Sequence, residues 1–399
     1  MGAGTAGGRP ESFAIGFPDS DLEDLARRLE LTRFAPDLDN ESGRYGLSTA
    51  HLRRLVSYWR DGYDWRAQEK LLNALPHARV ELDGIPVHFV RVRGRGPAPQ
   101  PLLMSHGFPW TFWDFQRVIG PLTDPAAHGG DPADAFDVVI PSLPGFALST
   151  PMPRAGVSFL DTADLWVRLM RDVLGYDRFG AQGGDWGALV TAQLGHKYAD
   201  HLTGVHFTSV GSLPGAWSRP RPWNLLQRAV DAAAPEHRDA VVAWERRRIG
   251  HIAPQVAHPQ TLAHALHDSP AGLLAWLTER RMSWADPALE PADVFDDDFL
   301  ITSTMLYWLT GSYVNAARFY HEAAARPWQP SHDRTPLIEV PTGLSIFPDD
   351  NPPGATYDHL GELYQLVHVG RHASGGHFGP MERPDEVVAD IRATFRSLR

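Results

Sequence analysis

The chain of 399 residues contains no cysteine, which excludes disulfide bonds, thiolate metal sites and a cysteine nucleophile. Lysine is almost absent too, because Lys70 and Lys197 are the only ones among basic residues that are otherwise arginine, a bias typical of GC-rich bacterial genomes. No stretch of 18 apolar residues occurs, so we expect no transmembrane helix. The formal net charge of −11 argues against binding to nucleic acid or to an anionic membrane.

The first ten residues have none of the features of a targeting signal. They are rich in Gly and Ala, and no charged region precedes an apolar one. We therefore expect residues 1–10 to be a disordered tail and the protein to be cytoplasmic. A hydrophobic content of 43% allows one large domain with an insertion, or two smaller domains.

Segments of the length of a strand occur throughout the first half of the chain. Residues 78–82 and 85–92 are predicted as a strand pair with a turn at Asp83-Gly84 and alternation in the second strand. Residues 101–105 and 136–141 are short apolar runs, and further strands are predicted at 178–182 and 205–210. Amphipathic helices are predicted before them, over 19–31 with Asp19 and Ser20 as the cap and over 48–60 with Ser48 as the cap. Short apolar strands of this kind are typical of a parallel sheet that is covered on both faces. The pattern predicts an α/β fold with helices on both faces of a mostly parallel sheet.

The pattern changes at about Leu213, and up to Pro330 helical periodicity replaces strands, including one stretch over Phe299–Ala325. Seven Trp residues lie in or beside this part of the chain, which suits a lid over an apolar pocket. Strand patterns then resume at 342–348 and 363–369, and a last helix is predicted over 384–398. The predicted units are an N-terminal arm (1–77), a first core part (78–212), a helical lid (213–330) and a second core part (331–399).

Residues 183–187 read Gly-Gly-Asp-Trp-Gly, the small-x-nucleophile-x-small pattern of the nucleophile elbow in α/β-hydrolases. Glycines flank the nucleophile because this turn brings backbones too close for a Cβ. Asp185 stands where Ser is usual. A carboxylate attacks saturated carbon and forms an alkyl ester. The motif therefore predicts an Asp-nucleophile hydrolase of the α/β-hydrolase fold, one that opens epoxides or displaces halide.

The ester needs an activated water, and in this fold the nucleophile, the acid and the histidine follow in that order. His377, in Ser-Gly-Gly-His-Phe, lies between the last predicted strand and the last helix, where a general base belongs. Asp349 and Asp350 both follow Phe347-Pro348 after the preceding strand, and either carboxylate could orient the imidazole. The pattern alone does not choose between them.

The segment His106-Gly107-Phe108-Pro109 follows an apolar strand, at the place of the second oxyanion loop. We expect the N–H groups of Phe108 and Trp186 to stabilise the oxyanion, Trp110 and Trp186 to line a substrate pocket, and His106 to be structural. No His/Asp cluster has metal-ligand spacing and no glycine-rich phosphate fingerprint is present, so we expect neither a metal nor a cofactor.

These motifs resemble those of the microsomal-type epoxide hydrolases over nearly the whole chain. The likeness includes an N-terminal arm that simpler α/β-hydrolases lack. The matching segments are Asp24-Leu25-Ala26-Arg27-Arg28-Leu29, Tyr58-Trp59-Arg60, Asp64-Trp65-Arg66, Glu69, Leu72-Asn73, Asp83-Gly84-Ile85-Pro86-Val87-His88-Phe89, His106-Gly107-Phe108-Pro109, Pro141-Ser142-Leu143-Pro144-Gly145-Phe146 and the elbow.

The resemblance implies that Asp185 attacks an epoxide carbon and that His377 activates water to hydrolyse the ester. The family's acid follows a Phe-Pro pair by two positions, which implies Asp350, with Asp349 as the alternative. The family also uses lid tyrosines to protonate the epoxide oxygen. One of them matches Tyr320; the alternative is that Tyr320 only packs in the lid core, as Tyr307 or Tyr313 could.

The second lid tyrosine is missing, and its position falls on His251. An imidazole can donate a hydrogen bond, and an imidazolium would be the stronger acid, but this histidine could also have no catalytic part. The departure leaves open a specialised substrate, or a biosynthetic epoxide-opening reaction with a nucleophile other than water.

Two further interpretations stay open. A haloalkane or haloacid dehalogenase would use the same nucleophile and base, with lid Trp residues as halide donors, and a non-catalytic binding protein could share the fold. The resemblance implies an epoxide as the small-molecule partner, and the aromatic lid favours one that is bulky and apolar. A homodimer is also left open.

Overall fold

The fold is described in a computed structural model, in which residues 8–209, 230–231, 233–355, 357 and 360–399 are described. Nine strands of this part of the chain form one sheet. They are β1 (Glu11–Ser12), β2 (His77–Leu82), β3 (Ile85–Val92), β4 (Gln100–Ser105), β5 (Phe136–Pro141), β6 (Phe179–Gly183), β7 (Leu202–Phe207), β8 (Ile338–Ile346) and β9 (Tyr364–Arg371).

The strand order in the sheet is β1-β2-β3-β5-β4-β6-β7-β8-β9. The pairs from β1 to β5 on one side are antiparallel, whereas every pair from β5 across to β9 is parallel. Carboxyl ends of parallel strands meet at one edge of a sheet, and ligands of open α/β sheets bind there. The loops after β4, β6, β7, β8 and β9 therefore converge.

Helices cover both faces of this sheet. Gly204 and Val205 are neighbours in β7, so their Cβ positions point to opposite faces. A Cβ at Gly204 would meet Phe395, and a Cβ at Gly195 would meet Val205. Phe395 and Gly195 belong to different helices, so the predicted α/β-hydrolase architecture, with a mostly parallel sheet between helices, is confirmed.

The described α-helices fall into four groups along the chain. The arm contains α1 (Asp19–Glu30), α2 (Thr49–Asp61) and α3 (Trp65–Leu72). The sheet region contains α4 (Gln116–Thr123), α5 (Phe159–Arg168) and α6 (Trp186–Lys197). Between β7 and β8 lie α7 (Arg238–Ile249), α8 (Ile252–Ala257), α9 (Pro259–Asp268), α10 (Pro270–Trp284), α11 (Pro291–Val294), α12 (Asp297–Trp308) and α13 (Tyr313–Ala325). The C-terminal part contains α14 (Leu360–Leu363), α15 (Gly379–Glu382) and α16 (Pro384–Arg396).

The described residues between β7 and β8 up to residue 330 form helices and loops without a strand, and we call them the helical insertion. The boundaries predicted at residues 77, 212 and 330 stay predictions. Most of the predicted tail and most of the helical pattern at 223–233 lie outside the described residues. Among the described helices, none combines the length and the apolar character that a membrane crossing requires.

Several local predictions can be compared directly with this structure. Ser48 caps α2 as predicted, with its side chain accepting a hydrogen bond from the His51 N–H. The predicted cap of α1 is wrong, because the helix already includes Asp19 and Ser20 and the cap position is occupied by Pro18, which has no side-chain acceptor. The helical pattern at 299–325 is two helices, since the chain between α12 and α13 passes through Gly311 with φ of 60°.

Candidate active site

Asp185 lies in the turn that joins β6 to α6, with φ of 52° and ψ of −126°. A non-glycine residue in this region of the backbone map is strained, as a nucleophile elbow requires. Space is also tight around the turn. A Cβ on Gly187 would lie 1.9 Å from the Ser105 carbonyl oxygen, and one on Gly107 would lie 2.2 Å from Asp185 Oδ1. Gly187 of the elbow motif and Gly107 of the predicted oxyanion loop therefore allow the backbone to approach as closely as the elbow motif predicts.

The two carboxylate oxygens of Asp185 face different partners. The Phe108 N–H donates to Oδ1 at 2.8 Å, and His377 Nε2 lies 3.4 Å from Oδ2. The Asp185 N–H donates to the Ser209 hydroxyl at 3.3 Å. One oxygen is thus bound at the predicted oxyanion position, while the other faces the predicted base. Trp186, the second predicted oxyanion residue, begins α6.

His377 and Asp350 form a tight, buried pair. The distance from His377 Nδ1 to Asp350 Oδ1 is 2.6 Å, and Asp350 Oδ2 accepts a hydrogen bond from the Ser209 hydroxyl at 3.0 Å. The neighbouring Asp349 instead presents its backbone carbonyl to Arg248 and to the Trp244 indole. The structure therefore brings Asp350, rather than Asp349, to the imidazole.

The charges of this site shift its protonation equilibria. Burial disfavours the imidazolium of His377, but the carboxylates of Asp350 and Asp185 outweigh it and raise the pKa of His377 to about 9. Burial likewise disfavours the charged form of Asp350, yet the attraction of His377 and Arg248 and the hydrogen bonds keep the pKa of Asp350 below its ordinary value. At neutral pH, His377 is therefore an imidazolium between acidic residues.

Tyr320 and His251 form a second buried pair, with 3.0 Å between Tyr320 Oη and His251 Nε2. Burial and the nearby Asp185 raise the pKa of Tyr320 well above 10, so its hydroxyl keeps its proton. Burial and the charges of Arg280 and His377 lower the pKa of His251 well below 6.5. His251 is thus neutral near pH 7, which argues against the imidazolium alternative.

Phe108 connects this pair to Asp185. Its N–H binds Asp185, and its ring centroid lies 5.8 Å from that of Tyr320 and 6.1 Å from that of His251. The Trp186 ring packs on Tyr320 at 4.7 Å, edge to face. The structure therefore gathers Asp185, His377, Asp350, Tyr320 and His251 in one aromatic-walled site.

Other predicted residues take supporting positions. Trp110 is fully buried and packs edge-on to His377 at 5.7 Å, and its predicted place in a pocket wall stays a prediction. Tyr307 donates to the Trp110 carbonyl at 2.9 Å, and Tyr313 donates to Gln255 at 3.2 Å. His106 is fully buried and accepts the Leu143 N–H at 3.0 Å, as expected of a structural histidine.

The sequence reasoning missed three contributors. Ser209 bridges Asp185 and Asp350, the Arg248 guanidinium lies 3.5 Å from Asp350 Oδ1, and the Trp284 ring lies 5.2 Å from His377. Ser209 follows β7 at the carboxyl edge of the sheet, a position that could have identified it. In the part of the chain that the structure describes, His, Asp and Glu form no group of three or more that could hold a metal ion.

The fold and the elbow define an α/β-hydrolase with a carboxylate at the nucleophile position. A family model described as the alpha/beta hydrolase fold matches residues 100–325, and one described as the epoxide hydrolase N terminus matches residues 10–115. A relative from Stigmatella aurantiaca named "Putative epoxide hydrolase" is 36% identical over 97% of this chain and 85% of its own length.

Further relatives agree. "Epoxide hydrolase 1" of Oryctolagus cuniculus is 31% identical over 95% of this chain and 87% of its own length. The solved structure of Aspergillus niger epoxide hydrolase is 27% identical and superposes with a TM-score of 0.81 over 99% of this chain and 98% of that one. The chain belongs to the epoxide hydrolase family.

Proposed function

We propose that this protein opens an epoxide to a vicinal diol through a covalent alkyl ester on Asp185. One observation carries the proposal. The Asp185 carboxylate is held at the elbow with the Phe108 N–H on one oxygen, while the other oxygen faces His377 at 3.4 Å. The names of the relatives support the same reaction class.

In the first half-reaction, the Asp185 oxygen that faces His377 attacks an epoxide carbon. As the carbon–oxygen bond of the ring breaks, the departing alkoxide takes the phenolic proton of Tyr320. His251 is neutral and within 3.0 Å of the Tyr320 oxygen, so its Nε2–H can stabilise the developing phenolate. In this scheme His251 assists the donor and does not itself act as the acid.

Ester formation removes the negative charge of Asp185. One of the two carboxylates that raise the pKa of His377 then disappears, so the imidazolium gives up its proton more readily, and that proton returns the Tyr320 phenolate to the phenol. The neutral imidazole accepts a proton from the water that attacks the ester carbonyl, and it passes that proton to the departing diol oxygen. The carboxylic acid formed on Asp185 then gives its proton to His377, which restores the starting carboxylate and imidazolium. The N–H groups of Phe108 and Trp186 stabilise the oxyanion.

The aromatic walls support a bulky apolar epoxide as the substrate class. The ring centroids of Trp186, Phe108 and Trp284 lie 4.7 to 6.1 Å from those of Tyr320 or His251. The Tyr320–His251 pair also favours an epoxide over a haloalkane, because a departing alkoxide needs a proton and a departing halide does not.

The reaction can be tested by a single turnover in ¹⁸O-water, with mass spectrometry of both protein and product. We expect the label to enter Asp185 before it reaches product, and we expect Asp185→Ala to abolish turnover. His377→Gln should allow alkylation and preserve the ester, so a stable adduct should accumulate. The matched control is Asp349→Asn, because the Asp349 carboxylate does not contact His377. Labelled product from an unlabelled protein would contradict the mechanism.

A further inference from the structure

Four consecutive backbone N–H groups of the loop that carries His377 have acceptors in other segments of the chain or in Glu382. Four consecutive residues donate: Gly375 to Asp286 Oδ2 at 2.8 Å, Gly376 to Glu382 Oε2 at 2.9 Å, His377 to the Trp284 carbonyl at 2.9 Å and Phe378 to Glu382 Oε1 at 2.7 Å. Three of these four hydrogen bonds end on carboxylate oxygens, and such charge-assisted bonds are roughly twice as strong as neutral ones.

Glu382 is the centre of this arrangement. Its two oxygens bind the N–H groups on either side of His377, and Oε2 also accepts the Asp286 N–H at 2.8 Å. The residue is only 6% exposed and ends α15, directly after the loop. None of these hydrogen bonds reaches the imidazole, so Glu382 acts on His377 through the backbone.

The loop needs such support because of its composition. Gly375 and Gly376 precede His377, and Gly375 has φ of 120°, a conformation that glycine adopts without strain but that leaves the free chain highly variable. The imidazole must nevertheless keep 2.6 Å to Asp350 and 3.4 Å to Asp185 at the same time. A carboxylate that binds both flanking N–H groups fixes the position from which the ring extends.

We propose that Glu382 is the positioning residue of the general base, and that Asp286 and the Trp284 carbonyl tie the same loop to the helical insertion. The inference rests on the proposed function, since it concerns the step in which His377 activates water. A displacement of about 1 Å can cost on the order of 10²-fold in rate. Glu382 should therefore matter for ester hydrolysis and much less for alkylation, which uses Asp185 and Tyr320.

The test measures both half-reactions of Glu382→Gln by rapid quenching and mass spectrometry of the protein. The variant keeps one accepting oxygen but places an amide NH₂ against an N–H donor. We expect ester hydrolysis to slow by about 10- to 100-fold while alkylation changes by less than about threefold, so the adduct accumulates. The matched control is Asp134→Asn, another buried carboxylate, which binds Arg396 and Arg399 away from the loop. It should change neither step.

Two results would overturn the inference: hydrolysis at the wild-type rate, or an equal loss in both half-reactions, which is what a purely structural role predicts. If Glu382→Gln does not fold, Asp286→Asn weakens the acceptor of the Gly375 N–H, the one N–H of the four that Asp286 binds, and should show the same preference for the hydrolysis step in a weaker form. A wild-type protein that forms no ester would instead refute the proposed function, so the two failures are distinguishable.

Discussion

Tyr320 and His251 share one hydrogen bond, on which their proposed roles depend. Tyr320 keeps its proton and is 2% exposed, while His251 is neutral and 4% exposed. A neutral imidazole is a weak acid beside a departing alkoxide, whereas a phenol that is stabilised by a hydrogen bond as its proton leaves can act as the acid. The replacement of the second tyrosine by His251 is therefore compatible with a single proton donor.

Substitution of Tyr320 by Phe should slow alkylation of Asp185 by about 10²–10⁴-fold, because the departing oxygen loses its proton donor. His251→Gln should slow it by only about tenfold, since the phenol remains. Rapid-quench measurement of adduct formation gives both rates. Tyr313→Phe is the matched control, because its hydroxyl contacts Gln255 and no reacting group. An unchanged rate in Tyr320→Phe would move the acid role to His251.

The raised pKa of His377 predicts a specific dependence of stability on pH. The folded-state pKa is about 9, above the ordinary 6.5, so this histidine stabilises the fold fully below pH 6.5 and loses that contribution as pH rises to 9. The loss is at most about 1.4 kcal/mol per pH unit. Asp185→Asn removes one of the two carboxylates, so its unfolding free energy should fall less steeply over this range.

Urea denaturation from pH 6.5 to 9 measures the difference, and Asp164→Asn, which removes a half-exposed carboxylate outside the site, is the control. Equal slopes in wild type and Asp185→Asn would mean that Asp185 does not raise the pKa of His377.

The sequence identified individual site residues unevenly. Asp185 and His377 stand out because each lies in a glycine-rich turn and because they occur in the chain order expected of this fold. The structure brings both together with Tyr320. Asp349 and Asp350 were indistinguishable by pattern, because two adjacent side chains in a turn differ only in the direction that the backbone gives them. Ser209 and Glu382 have no sequence motif of their own, since each acts through contacts between segments that are distant in the chain.

Helix α10 of the insertion is connected to the site by a buried ion pair. Arg281 of α10 binds Asp114 with both terminal nitrogens of its guanidinium, at 2.6 and 3.1 Å, and donates to the Pro109 carbonyl at 3.0 Å. Both side chains are 1% exposed. Pro109 follows Phe108, whose N–H binds Asp185, so a helix of the insertion holds the predicted oxyanion loop.

Arg281→Met should lower the free energy of unfolding by about 3–5 kcal/mol, because Asp114 is left buried without a counter-ion. The double variant Arg281→Met/Asp114→Leu should recover much of that loss, since no unpaired charge remains. Arg60→Met, in an exposed pair with Asp61, should leave stability unchanged. Urea denaturation measures all three. A single variant as stable as wild type would show that the pair contributes little.

Helices and strands were predicted best where a local feature of the sequence marks them. The strands before the elbow and the Ser48 cap were located correctly, because apolar length and a hydroxyl at the cap are local features. Strand β8 begins at Ile338, four residues before its prediction, because pairing with Tyr364 extends it. The break at Gly311 was missed because the apolar periodicity continues on both sides of it.

Across the molecule, the N-terminal arm joins the sheet to the helical insertion. Its first strand β1 pairs with β2 at the edge of the sheet. From the same arm, the Tyr58 hydroxyl donates to Asp298 Oδ1 at 2.8 Å, and the Tyr63 hydroxyl lies 2.9 Å from the Thr302 hydroxyl. Asp298 and Thr302 both belong to α12. The order of these segments in space could not be deduced from the sequence, because the contacts join residues about 240 positions apart.

If the arm holds the insertion in place, loss of these two hydroxyls should loosen α12 without affecting Asp185, Asp350 and His377. Tyr58→Phe/Tyr63→Phe should lower stability by about 1–3 kcal/mol, since each buried or half-buried partner loses one hydrogen bond. Hydrogen exchange of the α12 amides should accelerate more than that of β6, which precedes the nucleophile. Tyr45→Phe is the control, because Tyr45 is an arm residue that is 67% exposed and its hydroxyl accepts a hydrogen bond from the neighbouring Arg44. Uniform acceleration in α12 and β6 would mean that the hydroxyls support the whole fold. Unchanged exchange would mean that the other contacts hold the arm against the insertion, among them Gln68 with Asp298 and Arg54 with Asp297.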